Sequence, residues 1–208
     1  MAEAVVPLVK PKNVRKWRRM LLALADPSVD VPATFFDALT FKPTTLPAGA
    51  KEMGFVTTDG ITVADSLSSE NTSMLQSLTP VRRDLTGREQ SVSVVFGEAN
   101  AWVNALFHGL PVADWPTEKE GPWLFDDGDV TDWPDYRLWL IGQDGLGDRA
   151  VYRVEFAYKA GITAKTDRVL GSAAETFGCT FGCFLDDEVG LSYTRGQNGV
   201  GLNPPAGG

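Results

Sequence analysis

The chain has 208 residues, 43% of them apolar, and a formal net charge of −8. These values suit one globular domain with an arm, or two small domains, and they exclude a disordered protein. No run approaches the roughly 18 consecutive apolar residues of a membrane helix, and no apolar signal region follows the charged N-terminus, so we expect a protein that folds in a cytoplasm without membrane contact.

Residues 1–34 are predicted to form an arm with a short basic helix. Residues 1–25 carry six basic side chains against Glu3 alone, a charge of +5, which leaves −13 for the rest of the chain. The apolar residues that recur at helical spacing are Val14, Trp17, Leu21 and Leu24. Asn13 is a suitable N-cap, and Asp26-Pro27 ends the pattern. We expect this arm to dock on the body or on a neighbouring subunit.

From Phe35 onward the apolar period changes to two, which predicts strands. The first two predicted strands, 53–56 and 61–64, flank Asp59-Gly60, a pair typical of a hairpin turn. Further strands are predicted over 68–78, 81–85 and 91–96, with Thr79-Pro80 between the first two of these. Residues 98–107 are predicted to form a helix that His108-Gly109 closes.

Residues 110–135 are rich in Trp, Pro and Asp and lack periodicity, which predicts a long loop or an insertion. Strands are predicted again over 137–141, 150–158 and 173–185. In the second of these, aromatic and charged residues alternate, which predicts an antiparallel sheet with one wet side. Residues 196–208 are expected to be a flexible tail. The whole pattern predicts a mainly β fold, an antiparallel sandwich or barrel over 35–195 with one flanking helix.

The sequence offers little for catalysis. His108 is its single histidine, so any Ser–His–Asp or Cys–His set must use it, and it is predicted to end a helix. Cys179 and Cys183, four apart on a predicted strand, would lie ~13 Å apart, too far for a disulfide, so we expect two free thiols. The acidic cluster of Asp126, Asp127, Asp129 and Asp132 lacks the spacing of a calcium loop. We therefore expect no enzyme activity, no cofactor and no metal site.

Several motifs follow one another in order along the chain. They are Gly54-Phe-Val-Thr-Thr-Asp-Gly60, Ser-Leu-Ser-Ser-Glu-Asn, Val81-Arg-Arg-Asp-Leu-Thr86 and Ser91-Val-Ser-Val-Val-Phe-Gly-Glu98-Ala-Asn100 with the helix to Gly109. In this order they resemble the tail tube proteins of siphophages, notably those of actinobacterial hosts. The resemblance covers 54–109 well and 137–185 in general pattern. The basic helix and the loop at 110–135 depart from the simplest pattern of that family.

The resemblance implies a two-sheet β-sandwich with a flanking helix, six copies in a ring, and rings stacked into a tube. It also implies that DNA passes through the lumen without specific binding. The location would be the virion tail, after synthesis in the host bacterial cytoplasm. The implied partners are further copies of the chain and the tape measure, tail terminator and distal tail proteins.

Assembly contacts are expected at the basic arm, near 78–88 and in the Trp-rich loop. The candidate residues are Lys10, Lys12, Arg15, Lys16, Trp17, Arg18, Arg19, Leu78, Arg82, Arg83, Asp84, Arg88, Trp115, Trp123 and Trp133. One alternative is a tail terminator or head–tail joining protein of the same fold. Another is a carbohydrate-binding β-sandwich, because the three tryptophans could stack on sugars as well as cover a neighbouring subunit.

Overall fold

The computed structural model describes residues 14–77, 79–126, 132–147, 150–168, 170 and 173–199. Within these residues the chain forms eight β-strands, one α-helix (α1, Ala101–Phe107) and a short 3₁₀ turn at Val112–Asp114. The strands are β1 (Arg19–Ala25), β2 (Lys51–Glu52), β3 (Val56–Thr72), β4 (Arg82–Phe96), β5 (Asp135–Asp144), β6 (Val151–Lys165), β7 (Phe177–Phe184) and β8 (Tyr193–Gln197). The predicted mainly β fold with one flanking helix is confirmed.

All strand pairs are antiparallel, in the order β2-β1-β5-β6-β7-β4-β3. Strand β6 has two partners on the side opposite β5, because Arg153–Ala157 pair with β8 and Lys159–Lys165 pair with β7. It therefore belongs to both halves of the sheet. This branch lets the sheet fold back on itself, as in a sandwich.

The main core lies between the two halves of the folded sheet. Leu22 on β1 and Leu140 on β5 share one cluster of buried side chains with Val92, Val94 and Phe96 on β4. Helix α1 closes one end of this core, where Phe107 packs edge-on against Phe177 with ring centroids 5.1 Å apart. Burial of these apolar side chains supplies the main free energy that holds the halves together.

A second core covers the outer face of β1, β5 and β6. Trp139 and Phe156 pack with centroids 4.7 Å apart, and Phe35, from the segment between β1 and β2, contacts Phe156 at 5.2 Å. The prediction that one face of β6 is exposed to solvent is therefore wrong. Glu155, on the inner face, is only 3% exposed. The outer face is covered by residues 29–50. The buried Glu155 carboxylate accepts hydrogen bonds from Tyr193 Oη and Arg153 Nε, each at 2.5 Å.

The predicted basic helix of the N-terminal arm is wrong. Residues 19–25 form β1, which pairs with β5 along its whole length, and residues 14–18 have no regular structure. Leu22 and Leu24 enter the main core while Ala23 and Ala25 enter the second. A strand that is buried on both faces lacks the alternating pattern, so its apolar run also matches a helix. This part of the predicted arm belongs to the sheet.

The predicted hairpin turn at Asp59-Gly60 is also wrong. Strand β3 runs through both residues, and the pairing with β4 shifts register between Val56 and Ile61. Gly60 has φ +78°, so the Asp-Gly pair forms an irregularity inside one strand rather than a turn. The chain reverses later, between Thr72 and Arg82, where Thr79-Pro80 had marked a break.

The predicted helix over 98–107 and its end at His108-Gly109 are confirmed, with a start three residues later. Asn100 is the N-cap and accepts a hydrogen bond from Val103 N at 2.9 Å. His108 is the C-cap residue, and Gly109 follows with φ +71°. Among the residues that the structure describes, no helix has the length and apolar character needed to cross a membrane.

Candidate assembly surface

The most exposed regular structure is the far half of the β3–β4 hairpin, residues 65–88, here called the distal hairpin. Almost every described side chain in it is exposed, whereas β4 becomes alternately buried from Gln90 onward. The distal hairpin nevertheless carries large apolar side chains, with Leu75 100% and Leu85 63% exposed. Leu67, Met74 and Val81 are exposed as well. Single exposed apolar side chains are common on protein surfaces, but several on one projecting hairpin indicate a surface that contacts another molecule.

At the base of the distal hairpin, side chains of its two strands meet side chains of the body. Arg88 Nη2 lies 2.6 Å from Asp65 Oδ2 across the two strands, and Gln90 Nε2 donates to the same oxygen at 3.3 Å. Arg195 on β8 approaches it at 3.8 Å. The hydrogen bond from Arg88 holds the pKa of the Asp65 carboxyl below its usual range. At this base the two strands of the hairpin pair with each other, and Gln90 and Arg195 of the body meet Asp65.

Farther along the distal hairpin, Arg82 and Arg83, two of the predicted contact residues, bind side chains of the hairpin itself. Arg82 Nε donates to Asp84 at 2.8 Å on the same strand, and Arg83 Nε donates to Ser69 at 3.0 Å across the ribbon. Leu78 lies outside the described residues. These side chains remain available to a partner because surface pairs of this kind contribute little to stability.

The predicted basic residues 15–19 lie beside the turn that follows β5. Arg15 approaches Asp144 at 3.8 Å, and a Cβ added to Gly142 would lie 3.1 Å from the Trp17 ring, so Trp17 packs on β5. Lys16, Arg18 and Arg19 are exposed. Lys10 and Lys12 lie outside the described residues.

The three tryptophans of the predicted loop all meet residues 108–110, directly after α1. Trp115 is buried and donates to Leu110 O at 2.7 Å, Trp133 packs against Gly109, and Trp123 lies with its ring 6.4 Å from that of His108. Trp123 is 43% exposed and stacks on Phe125. Because Trp115 is buried while Trp123 is exposed, the three rings do not share one exposed surface.

A network that sequence reasoning missed joins two of the motifs singled out above. Glu98 accepts from Phe55 N at 3.0 Å and forms an ion pair with Lys119 at 2.9 Å. Asn100, besides capping α1, donates to Met53 O at 3.0 Å. Burial alone would raise the pKa of Glu98, but the hydrogen bonds from Lys119, Phe55 and Asn100 outweigh it and lower that pKa. The network ties the β2–β3 connection to the start of the helix.

Gly54 is the backbone position that this network requires. It has φ +97°, and a Cβ there would lie 2.1 Å from Glu98 Oε2. The sequence signal was present, since the first motif begins with Gly54 and the last ends with Glu98-Ala-Asn100. Their contact was not predictable, because the motifs are more than 40 residues apart.

The cysteines and acidic side chains that were considered as reactive or metal-binding groups show no such arrangement among the described residues. Cys179 and Cys183 are free thiols, as predicted, and burial raises the pKa of each to about 12. Such thiols are poor nucleophiles at neutral pH. No three His, Cys, Asp or Glu side chains of the described residues are grouped so that they could hold a metal ion. Asp127 and Asp129 of the acidic cluster lie outside those residues.

No protein-family model and no curated protein matches the chain.

Proposed function

We propose that the chain is a self-assembling structural subunit without enzyme activity, and that its assembly is the tail tube of a long-tailed bacteriophage. The distal hairpin is the observation that carries the proposal. It is a two-stranded ribbon against which none of the described residues forms a further layer, and such a ribbon is marginally stable alone in water. Packing on another copy would cover its apolar side chains and stabilise it.

The sheet also offers a free edge for assembly. Strand β3, 17 residues long, is the last strand of the sheet, and among the strands that the structure describes it pairs on one side only, with β4. A long edge presents unpaired N–H and C=O groups to other chains, and closure into a ring removes that hazard. A contact between two different surfaces of identical subunits can close into a ring or continue as a filament. A tube of stacked rings uses both possibilities.

The choice of a phage tube rests on the ordered motifs over residues 54–109 and on charge. The chain outside residues 1–25 carries −13, and a lumen lined by such a body would repel DNA and let it pass. On this proposal the chain conducts phage DNA passively and has its place in the virion. Its partners are further copies of itself and the proteins that begin, measure and end the tail.

A shortened distal hairpin tests the proposal. Replacing residues 69–86 with Asn-Gly joins Ser68 to Gly87, which are opposite each other in the register, by a two-residue turn. The Asp65–Arg88 ion pair remains. We expect the variant to unfold at the same temperature as the full chain but to form no polymers in sedimentation and negative-stain microscopy.

Two leucines give a matched pair for the same test. Leu75 in the distal hairpin is 100% exposed, and Leu39 in the segment between β1 and β2 is 89% exposed. Leu75→Asp should weaken polymer formation about tenfold or more, since it places a charge where an apolar contact is expected. Leu39→Asp should leave polymer formation unchanged. Normal polymers from the shortened chain would overturn the role of the hairpin.

A further inference from the structure

We propose that the half-sheet β1-β5-β6-β8 has a basic end and an acidic end, and that these two ends join successive copies of the chain head to tail. This inference rests on the proposed self-assembly and names the surfaces that would make one of its contacts. It does not use the distal hairpin.

The basic end lies where β1 begins and β5 ends. Lys16, Arg18 and Arg19 surround an open depression of about 710 Å³ beside the turn at 143–146. Arg15 and Asp144 at the same place pair with each other. These four cations and one carboxylate give the end a charge of +3. Lys16, Arg18 and Arg19 form no ion pair with any residue that the structure describes, so their charges remain available.

The acidic end lies where β1 ends and β5 begins. A depression of about 450 Å³ is lined there by four carboxylates, those of Asp135, Asp186, Asp187 and Glu188, and by two cations. The cations are already engaged, Arg137 with Asp186 at 3.8 Å and Lys159 with Asp135 at 3.3 Å. The net charge of this end is −2. Asp187 and Glu188 are exposed and have no ion-pair partner within the described part of the chain.

The strand register places these ends opposite each other. Arg19 pairs with Gln143 at one end of β1, and Ala25 pairs with Arg137 at the other. Six residue steps of extended strand separate the two rows, about 20 Å. This distance exceeds the Debye length of about 8 Å at physiological salt, so the two ends neutralise each other little within one chain.

The polarity of the half-sheet selects the type of contact. A two-fold pair made end to end would bring like charges together, basic end on basic end or acidic end on acidic end, which costs several kcal/mol. A second copy in the same orientation instead brings the exposed cations of one chain to the acidic depression of the next. That contact uses two different surfaces and leaves one of each unused at the ends, so it can repeat. The occupant of each depression is therefore another copy of the chain.

Charge reversal on the full chain tests the inference. We expect Lys16→Glu/Arg18→Glu/Arg19→Glu to raise the concentration needed for polymer formation about tenfold or more, measured by sedimentation at low salt. Asp187→Lys/Glu188→Lys should do the same. In a chain with all five substitutions the former basic end is acidic and the former acidic end is basic. The two ends are complementary again, so this chain should regain assembly. Glu118→Lys/Glu120→Lys, two exposed acids beside α1, is the matched control and should assemble as the wild type does.

The outcomes separate this inference from the proposed function. If the wild type forms polymers and both single-end reversals do so equally well, the head-to-tail charge contact is overturned while self-assembly stands. If both reversals fail and the five-substitution chain does not recover, the pairing of these two ends is overturned as well. A wild-type chain that remains monomeric at every concentration would overturn both the contact and the proposed assembly.

Discussion

Gly54, Glu98 and Asn100 form the contact between the β2–β3 connection and the start of helix α1. Through it the chain between β2 and β3 is held against the start of α1, and each polar group of the network has a partner. A network of this kind fixes geometry because every alternative leaves a polar group without a hydrogen bond. Two substitutions test its contribution.

Gly54→Ala should destabilise the fold more than Gly60→Ala. Both glycines have positive φ, and alanine costs about 1–2 kcal/mol in that region. An added Cβ at Gly60 meets nothing within 4 Å, whereas at Gly54 it would displace Glu98 from its partners. Losing hydrogen bonds to a charged group adds about 1.5–3 kcal/mol. Urea unfolding of the two variants measures the difference, and equal losses would contradict the account.

Glu98 should make the free energy of unfolding depend on pH. Its pKa is lower in the folded chain than in the unfolded chain, so its contribution is fully present above the unfolded value of about 4.3. The contribution is lost as pH falls through the folded value. The wild type should therefore lose more unfolding free energy than Glu98→Gln between about pH 6 and about pH 3. Parallel pH profiles for the two proteins would show that Glu98 is not the group responsible.

At the scale of elements, the sequence pattern predicted the type of a helix or strand correctly when one face is buried, and failed when both faces are. Helix α1 was predictable from its cap and its apolar side, and β7 from alternation that places Phe177 and Phe181 in the core. Strand β1 was predicted as a helix because both its faces are buried. No local pattern reports that residues 29–50 will cover the outer face.

The distal hairpin shows a related limit. Its two strands were predicted as separate short pieces, because alternation fades where neither face is buried. Residues 67–72 of β3 pair with residues 82–88 of β4, and this pairing is made within the ribbon without a buried core beneath it. Sequence alone therefore located the candidate contact residues Arg82, Arg83 and Arg88 without showing that they share a projection.

Hydrogen exchange should distinguish the distal hairpin from the rest of the sheet. In the monomer, amides of residues 69–85 should exchange far faster than those of β5 and β6, since no buried layer protects them. In the polymer the same amides should become protected. The measurement compares the two states of one protein by mass spectrometry. Unchanged exchange on polymer formation would show that the hairpin is not a contact.

At the scale of the whole molecule, composition and period predicted the fold class, but not its closure. The branch at β6, which pairs with both β7 and β8, combines contacts from distant parts of the chain. The candidate surfaces were predicted in part. The basic residues were recognised from charge alone, while the acidic depression around Asp186 was not, because it forms only when β5, β6 and the turn after β7 meet.

Negative-stain electron microscopy of the purified chain at rising concentration tests self-assembly most directly. The account predicts hollow, open-ended tubes that lengthen as the concentration rises, with the distal hairpin between subunits. A chain that stays monomeric at every concentration would contradict the account. Single closed rings without open-ended polymers would contradict the tube and favour a protein that terminates one.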